Sequence, residues 1–225
     1  MEFAISKFEC IEYMTRYPNG YKAGVRYPVI LNLHGAGTIG QRIEQLRDQC
    51  VFRQTDGMED FPAIVVAPLC PQKTWFDVFE TLKRFVTFLA KADFCIPERL
   101  YLMGGSMGGY TAWQLGMSMP EAFAAMVPIC GGGMYWNAKR LKDVPVWAFH
   151  GAKDPTVLCR ESEIMVEKVN KHGGNARLTV YPENGHDAWT DTYSNPEVYA
   201  WLFSHVKGES QEVADEYSNN SKEFG

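Results

Sequence analysis

Short apolar runs alternate with longer amphipathic stretches along most of this chain. Val29–Leu33, Ala63–Ala67, Arg99–Met103, Ala124–Ile129 and Val144–Phe149 each read as a buried strand, with Gly, Pro or His closely following each run. Their near-continuous apolar character, without polar alternation, is that of parallel strands covered on both faces. Ala176–Tyr181 is a further strand. Between these runs lie helices. In Asp77–Ala92 the residues Val78, Leu82, Phe85, Val86 and Leu89 recur at three- and four-residue spacing. Met107–Met117 and Cys159–Lys171 are likewise helical, and Pro196–Val206 opens on a proline suited to a first helical turn. Repeated strand–helix alternation predicts an α/β fold with a doubly wound, mostly parallel sheet. The first thirty residues differ. Lys7–Tyr13 and Tyr21–Tyr27 flank Tyr17-Pro18-Asn19-Gly20, and the Asn-Gly pair predicts an antiparallel hairpin at one edge of the sheet. One domain is expected over residues 1–207. Residues 208–225 carry five acidic residues and little to bury, which predicts a polar tail.

Composition narrows the function. The 225 residues carry Lys+Arg 22 against Asp+Glu 27, a net charge of −5. A mildly acidic surface argues against a nucleic-acid or anionic-membrane partner, because both require a basic face. No apolar run approaches the roughly 18 residues that cross a bilayer, and the start Met1–Lys7 shows no basic region leading into an apolar stretch. A cytoplasmic location is therefore expected. The six cysteines (10, 50, 70, 95, 130, 159) form no CxxC pair and are expected to be reduced. The histidines (34, 150, 172, 186, 205) do not cluster with them at ligand spacing, so neither a metal nor a cofactor is expected.

The candidate chemistry sits where strands end, which is where ligands bind in a doubly wound sheet. Gly104-Gly105-Ser106-Met107-Gly108 is G-x-S-x-G between a strand and a helix, so Ser106 would project from a very sharp turn as a nucleophile. A hydroxyl is a poor nucleophile until an imidazole takes its proton, and the imidazole needs a carboxylate to hold its tautomer. His150-Gly151-Ala152-Lys153-Asp154 supplies Asp154 on the next strand-end loop, and Asn184-Gly185-His186-Asp187 supplies His186 on the loop after that. Asp187 is the rival acid, but its position next to His186 makes a bond to that ring awkward. Small residues in His34-Gly35-Ala36-Gly37 expose backbone N–H groups of Ala36 or Gly37, which with that of Met107 would form an oxyanion hole. His34 and His150 read as hydrogen-bonded scaffold residues. Gly35-Ala36-Gly37-Thr38-Ile39-Gly40 also matches the dinucleotide fingerprint, but no acidic residue follows the second strand to hold a ribose.

Taken together, Leu33-His34-Gly35-Ala36-Gly37, Gly104–Tyr110, His150–Asp154 and Gly185-His186 resemble the compact serine esterases of the α/β-hydrolase superfamily. The nearest group is that of phospholipase/carboxylesterases and "predicted peptidases", related to feruloyl esterases and polyhydroxybutyrate depolymerases. The resemblance runs from about Tyr17 to Lys207. It implies Ser106 as nucleophile, His186 as base and Asp154 as the orienting acid. Thr38-Ile39 departs from the Glu-Arg that many relatives carry there. The thirteen residues Gly131–Asp143 are too few for a cap domain, so an open cleft is expected. Trp75, Tyr135, Trp136 and Trp189 are its candidate substrate-binding wall. The expected activity is hydrolysis of small or glycan-attached carboxylic esters, acetyl or hydroxycinnamoyl, through an acyl-enzyme. A serine peptidase with the same triad is the alternative. A non-catalytic binding protein or a dinucleotide enzyme fits less well, since no triad member is missing.

Overall fold

The computed structural model describes residues 2–58 and 60–208. Eight strands form one sheet: β1 (Phe3–Phe8), β2 (Ile11–Arg16), β3 (Tyr27–Leu33), β4 (Ile64–Leu69), β5 (Cys95–Gly105), β6 (Ala125–Ile129), β7 (Val146–Gly151) and β8 (Ala176–Tyr181). Their spatial order is β1-β2-β4-β3-β5-β6-β7-β8. β1 and β2 pair antiparallel, β2 runs antiparallel to β4, and the remaining pairs are parallel. The helices are α1 (Cys50–Asp56), α2 (Phe79–Ala90), α3 (Met107–Ser118), α4 (Arg160–Lys171), α5 (Trp189–Ser194) and α6 (Pro196–Phe203). The doubly wound, mostly parallel sheet is the expected architecture. Apart from Gly208, the expected tail lies outside the described residues.

Alternation within the apolar runs divides the core in two. Leu31, Leu33, Leu100 and Leu102 point to the face covered by α2, α3 and α4, where Phe85, Trp113 and Met165 are buried. Ile30, Val65, Tyr101 and Met103 point to the other face, under α1, α5 and α6, with Phe52, Tyr193 and Leu202. Both faces being apolar is why the strands show no polar alternation. All six cysteines are free thiols. Among the described residues, no helix is long and apolar enough to cross a membrane.

The edge hairpin exists, but its turn lies elsewhere. It turns at Glu9-Cys10, with Glu9 at φ 50° and Phe8 opposite Ile11. Asn19-Gly20 instead closes a short loop in which Tyr21 N–H donates to the Pro18 carbonyl. Tyr17, Tyr21 and Tyr27 stack across that loop, with ring centroids 4.4 and 5.3 Å apart. Residues 22–26 include Lys22, Gly24 and Arg26 and offer no second apolar face, so burying the aromatic stack prevails over strand pairing there. β5 is also longer than Arg99–Met103, running eleven residues past polar Glu98 and Arg99.

Candidate active site

The site begins with the turn at the end of β5. Ser106 stands at φ 57°, ψ −119°, between that strand and the first residue of α3. Such a backbone is disfavoured for any residue with a Cβ and survives only when its surroundings enforce it. Here they do. A Cβ on Gly108 would lie 2.0 Å from the Leu33 carbonyl oxygen, and one on Gly104 would lie 2.4 Å from that of Gly108. Only glycine lets β3, β5 and α3 approach this closely. Ser106 N–H is tied to the Ile129 carbonyl at 2.9 Å, which locks the turn to β6.

Loops after β7 and β8 meet at this turn. Ser106 Oγ lies 2.8 Å from His186 Nε2, and His186 Nδ1 lies 2.7 Å from Asp154 Oδ2. A carboxylate can only accept, so Nδ1 carries the proton and Nε2 is left to accept from the serine hydroxyl. Burial pushes the Asp154 carboxyl up, but bonds from His186, Val157 N–H and Thr156 N–H outweigh it and hold the group below its ordinary value. Its Oδ1 accepts those two amides at 2.9 and 2.8 Å. Asp154 is thus buried and ionised, with its free lone pairs directed at the imidazole. Asp187, the rival acid, lies exposed while His186 Nδ1 bonds to Asp154.

The loop after β3 passes beside the serine: a side chain at Gly35 would come within 3.3 Å of Ser106 Cβ. Ala36–Thr38 then forms a 3₁₀ turn. Among the described residues, the N–H groups of Ala36, Gly37 and Met107 have no acceptor. His34 supports this loop from below. Its Nδ1 donates to the Gly35 carbonyl at 2.8 Å and its Nε2 accepts Cys70 N–H at 3.0 Å. Burial lowers its pKa to about 4, so the ring stays neutral. His150 serves the other loop. Its Nε2 donates to the Val157 carbonyl at 2.8 Å and stands 3.3 Å from Asp154 Oδ2, while Nδ1 meets Ser162 Oγ at 2.8 Å. Cys130, His150 and Asp154 each offer a ligand atom within 4.8 Å of the others, a spacing that a metal could use. Asp154 is already engaged by His186.

Beside Ser106 opens a cavity of about 500 Å³, within the range typical of ligand pockets. Asn32, the segment from His34 to Thr38, Gln49–Val51, Ser106, His186, Trp189 and Tyr193 line it. Of the four expected wall aromatics, only Trp189 is there, its ring edge-on to His186 at 5.2 Å. Trp75 is fully buried, stacks on His34 at 4.8 Å and donates its indole N–H to the His34 carbonyl. Its indole fills the core under the loop instead of facing ligand. Tyr135 and Trp136 lie on a 3₁₀ stretch, Tyr135–Leu141, away from the cavity, and Trp136 is 68% exposed. The wall that sequence reasoning missed comes from α1, from Tyr193 of α5 and from Asn32. Both helices are too short to show a periodic pattern, and Asn32 interrupts an apolar strand without any motif around it.

Residues 62–218 match the Dienelactone hydrolase family. A crystal structure of a thermostable esterase is 32% identical, with a TM-score of 0.79 over 91% of this chain and 63% of that one. Est1E from Butyrivibrio proteoclasticus is 13% identical, with a TM-score of 0.67 over 86% of this chain and 95% of its own, a likeness of fold alone. Acyl-protein thioesterase 1 of Gibberella zeae is 24% identical over 112 residues. That match covers 46% of this chain, and the chain spans about half the length of that curated relative.

Proposed function

The chain belongs to the dienelactone hydrolase family, and from that premise we propose that it hydrolyses carboxylic esters with Ser106 as nucleophile, His186 as base and Asp154 as the orienting acid. The observation that carries this reading is the unbroken chain from Ser106 Oγ through both His186 nitrogens to Asp154, 2.8 and 2.7 Å long at its two links, opening on a cavity. Ser106 Oγ attacks the ester carbonyl as His186 Nε2 takes its proton. The developing oxyanion turns toward the free N–H groups of Met107 and of Ala36 or Gly37. The helix dipole of α3 favours that negative charge. His186 then gives its proton to the departing alcohol, and in the second half it activates water against the acyl-Ser106 ester. Asp154 stays ionised throughout and stabilises the imidazolium.

The proposed substrates are small or glycan-attached esters, bearing acetyl or hydroxycinnamoyl groups. The likeness to a thermostable esterase and to an acyl-protein thioesterase supports an acyl transfer to water. Hydrolysis of p-nitrophenyl acetate tests the assignment. Ser106→Ala is expected to lose about 10⁴-fold or more in turnover, since triad members act as a unit. A fluorophosphonate is expected to label Ser106 and no other residue by mass spectrometry. Residual turnover above about 1% would remove Ser106 as nucleophile. An amide matched to its ester, assayed side by side, separates this reading from a peptidase: the ester is expected to be cleaved and the amide spared.

A further inference from the structure

The cavity beside Ser106 has two chemically different ends. At the top are the serine, His186 and the free N–H groups. At the floor is Asn32, on the face of β3 shared with Tyr193 and Val51. Asn32 is only 2% exposed, yet it is a polar residue inside an otherwise apolar strand. Its Oδ1 accepts the hydroxyl of buried Tyr193 at 2.6 Å. Tyr193 is itself held, because its carbonyl accepts the Tyr199 hydroxyl at 3.0 Å. With Oδ1 so engaged, the amide can turn only its Nδ2 into the cavity, and Nδ2 has no acceptor among the described residues. It is not one of the sealed-off polar atoms of the core, so it stays open to the cavity, and an apolar acyl group that stripped its water without replacing the bond would be penalised. The arrangement is that of a donor waiting for an acceptor.

Resting on the ester-hydrolase reading, we propose that Asn32 selects acyl groups carrying a neutral hydrogen-bond acceptor at their far end, such as a hydroxyaryl acyl group. Length agrees with this. Asn32 sits opposite Met103, three residues before Ser106, so the amide lies about 10 Å down the strands from the nucleophile at ~3.3 Å per residue. An acetyl group cannot reach it, whereas an extended aryl acyl group can. Trp189, Tyr193 and Val51 supply the apolar walls that such a ring requires. Charge narrows the class further. Among the described residues lining the cavity there is no Lys or Arg. A distal carboxylate would therefore be buried without a cation, which is far costlier than burying a phenol or ether oxygen.

The test compares methyl 4-hydroxycinnamate, methyl cinnamate and methyl 4-carboxycinnamate on the full chain. The hydroxy ester is expected to exceed cinnamate by about tenfold or more in kcat/KM, with the carboxy ester slowest, because a site built to hydrogen-bond a hydroxyl rejects the analogue lacking it. In Asn32→Leu the hydroxy-to-unsubstituted ratio should fall to near one. In Tyr193→Phe, which releases Oδ1 and lets the amide turn, it should fall part of the way. Fluorophosphonate labelling of Ser106 counts folded sites in each variant. A wild-type ratio within twofold, a ratio unchanged in Asn32→Leu, or no hydrolysis of either ester by a protein whose Ser106 labels would each overturn the inference. Hydrolysis that persists in Ser106→Ala would overturn the ester-hydrolase reading instead.

Discussion

At the crest of the sheet, where β3, β5, β6, β7 and β8 end, Ser106 and Cys130 are held at φ 57° and 47°, Asp154 and His150 are buried, and backbones touch through glycine. At the β1–β2 edge of the same sheet, Ile5, Ser6 and Lys7 of the outer strand face solvent, Ile5 is 48% exposed, and an ion pair between Arg84 and Glu9 spans solvent. The crest spends backbone strain and buried polarity to place three side chains. The edge holds Glu9 at φ 50° and buries Arg16 against Asp56, but neither of these reaches the candidate site. The difference teaches where the chain can change: substitutions at the crest should act on chemistry or on folding outright, and those at the solvent-facing positions of the edge should barely register.

The sharpest way to break that contrast is to change two aspartates that lie 33 residues apart in sequence but differ in burial. Asp154→Asn keeps the shape but cannot hold His186 in the tautomer that accepts the serine proton. Turnover should fall about 10³- to 10⁴-fold, as it does when the acid of such a triad becomes an amide. Asp187→Asn, on the exposed neighbour of His186, should change turnover less than about twofold. Reversal of the two results would move the acid to Asp187.

Gly108→Ala comes next and acts on folding. Its Cβ would have to displace the Leu33 carbonyl, backbone of the central strand, from 2.0 Å. We expect a loss of about 4 kcal/mol or more, which would show as little soluble folded protein. A normal melting midpoint would mean that the turn can relax, and the strain argument would fail with it.

Acid stability probes the crest in a third way. Burial lowers the His34 pKa from 6.5 to about 4. The unfolded chain takes up a proton near pH 6.5 and the folded one only near 4, so the unfolded state binds more protons between those values. Stability conferred by keeping His34 neutral is therefore complete above about pH 6.5 and is lost progressively as pH falls toward 4, by about 3 kcal/mol. His34→Gln should flatten this part of the stability–pH curve, measured by urea unfolding. An unchanged slope would assign the acid sensitivity to other groups.

The crest was legible in the sequence because its chemistry is written as local punctuation. Gly104–Gly108, His150–Asp154 and Gly185-His186 each carry residue types that only a strand end would tolerate together, and their order needs no knowledge of packing. The sheet was legible for a similar reason, since strands buried on both faces are apolar throughout. What escaped was set by contacts between distant segments. Asn19-Gly20 has the chemistry of a hairpin turn, yet three tyrosines close that loop on themselves and the pairing moves to Glu9-Cys10. Trp75 has the position of a pocket residue, but its indole serves the His34 carbonyl. Nothing near Asn32 marks it, because its partner Tyr193 lies 161 residues away.

The smallest effect belongs to the edge. Arg84 meets both carboxylate oxygens of Glu9, at 2.8 and 2.6 Å, a two-pronged geometry that looks strong on paper. The guanidinium's hydrogen bond to Glu9 lowers that carboxyl's pKa, yet both side chains stand in solvent, which screens the attraction. Holding two long side chains in one geometry also costs entropy. Glu9 occupies the hairpin turn at φ 50°, and a glutamine there would face the same backbone demand, so Glu9→Gln isolates the charge from the turn. We expect the melting midpoint to move by less than about 2 °C at moderate salt and esterase turnover to stay constant. Glu9→Gly should stabilise instead, because glycine adopts positive φ without strain while the ion pair it removes contributes so little. A large loss in Glu9→Gln would mean that the edge, like the crest, depends on one specific contact, and the division between the two regions would no longer stand.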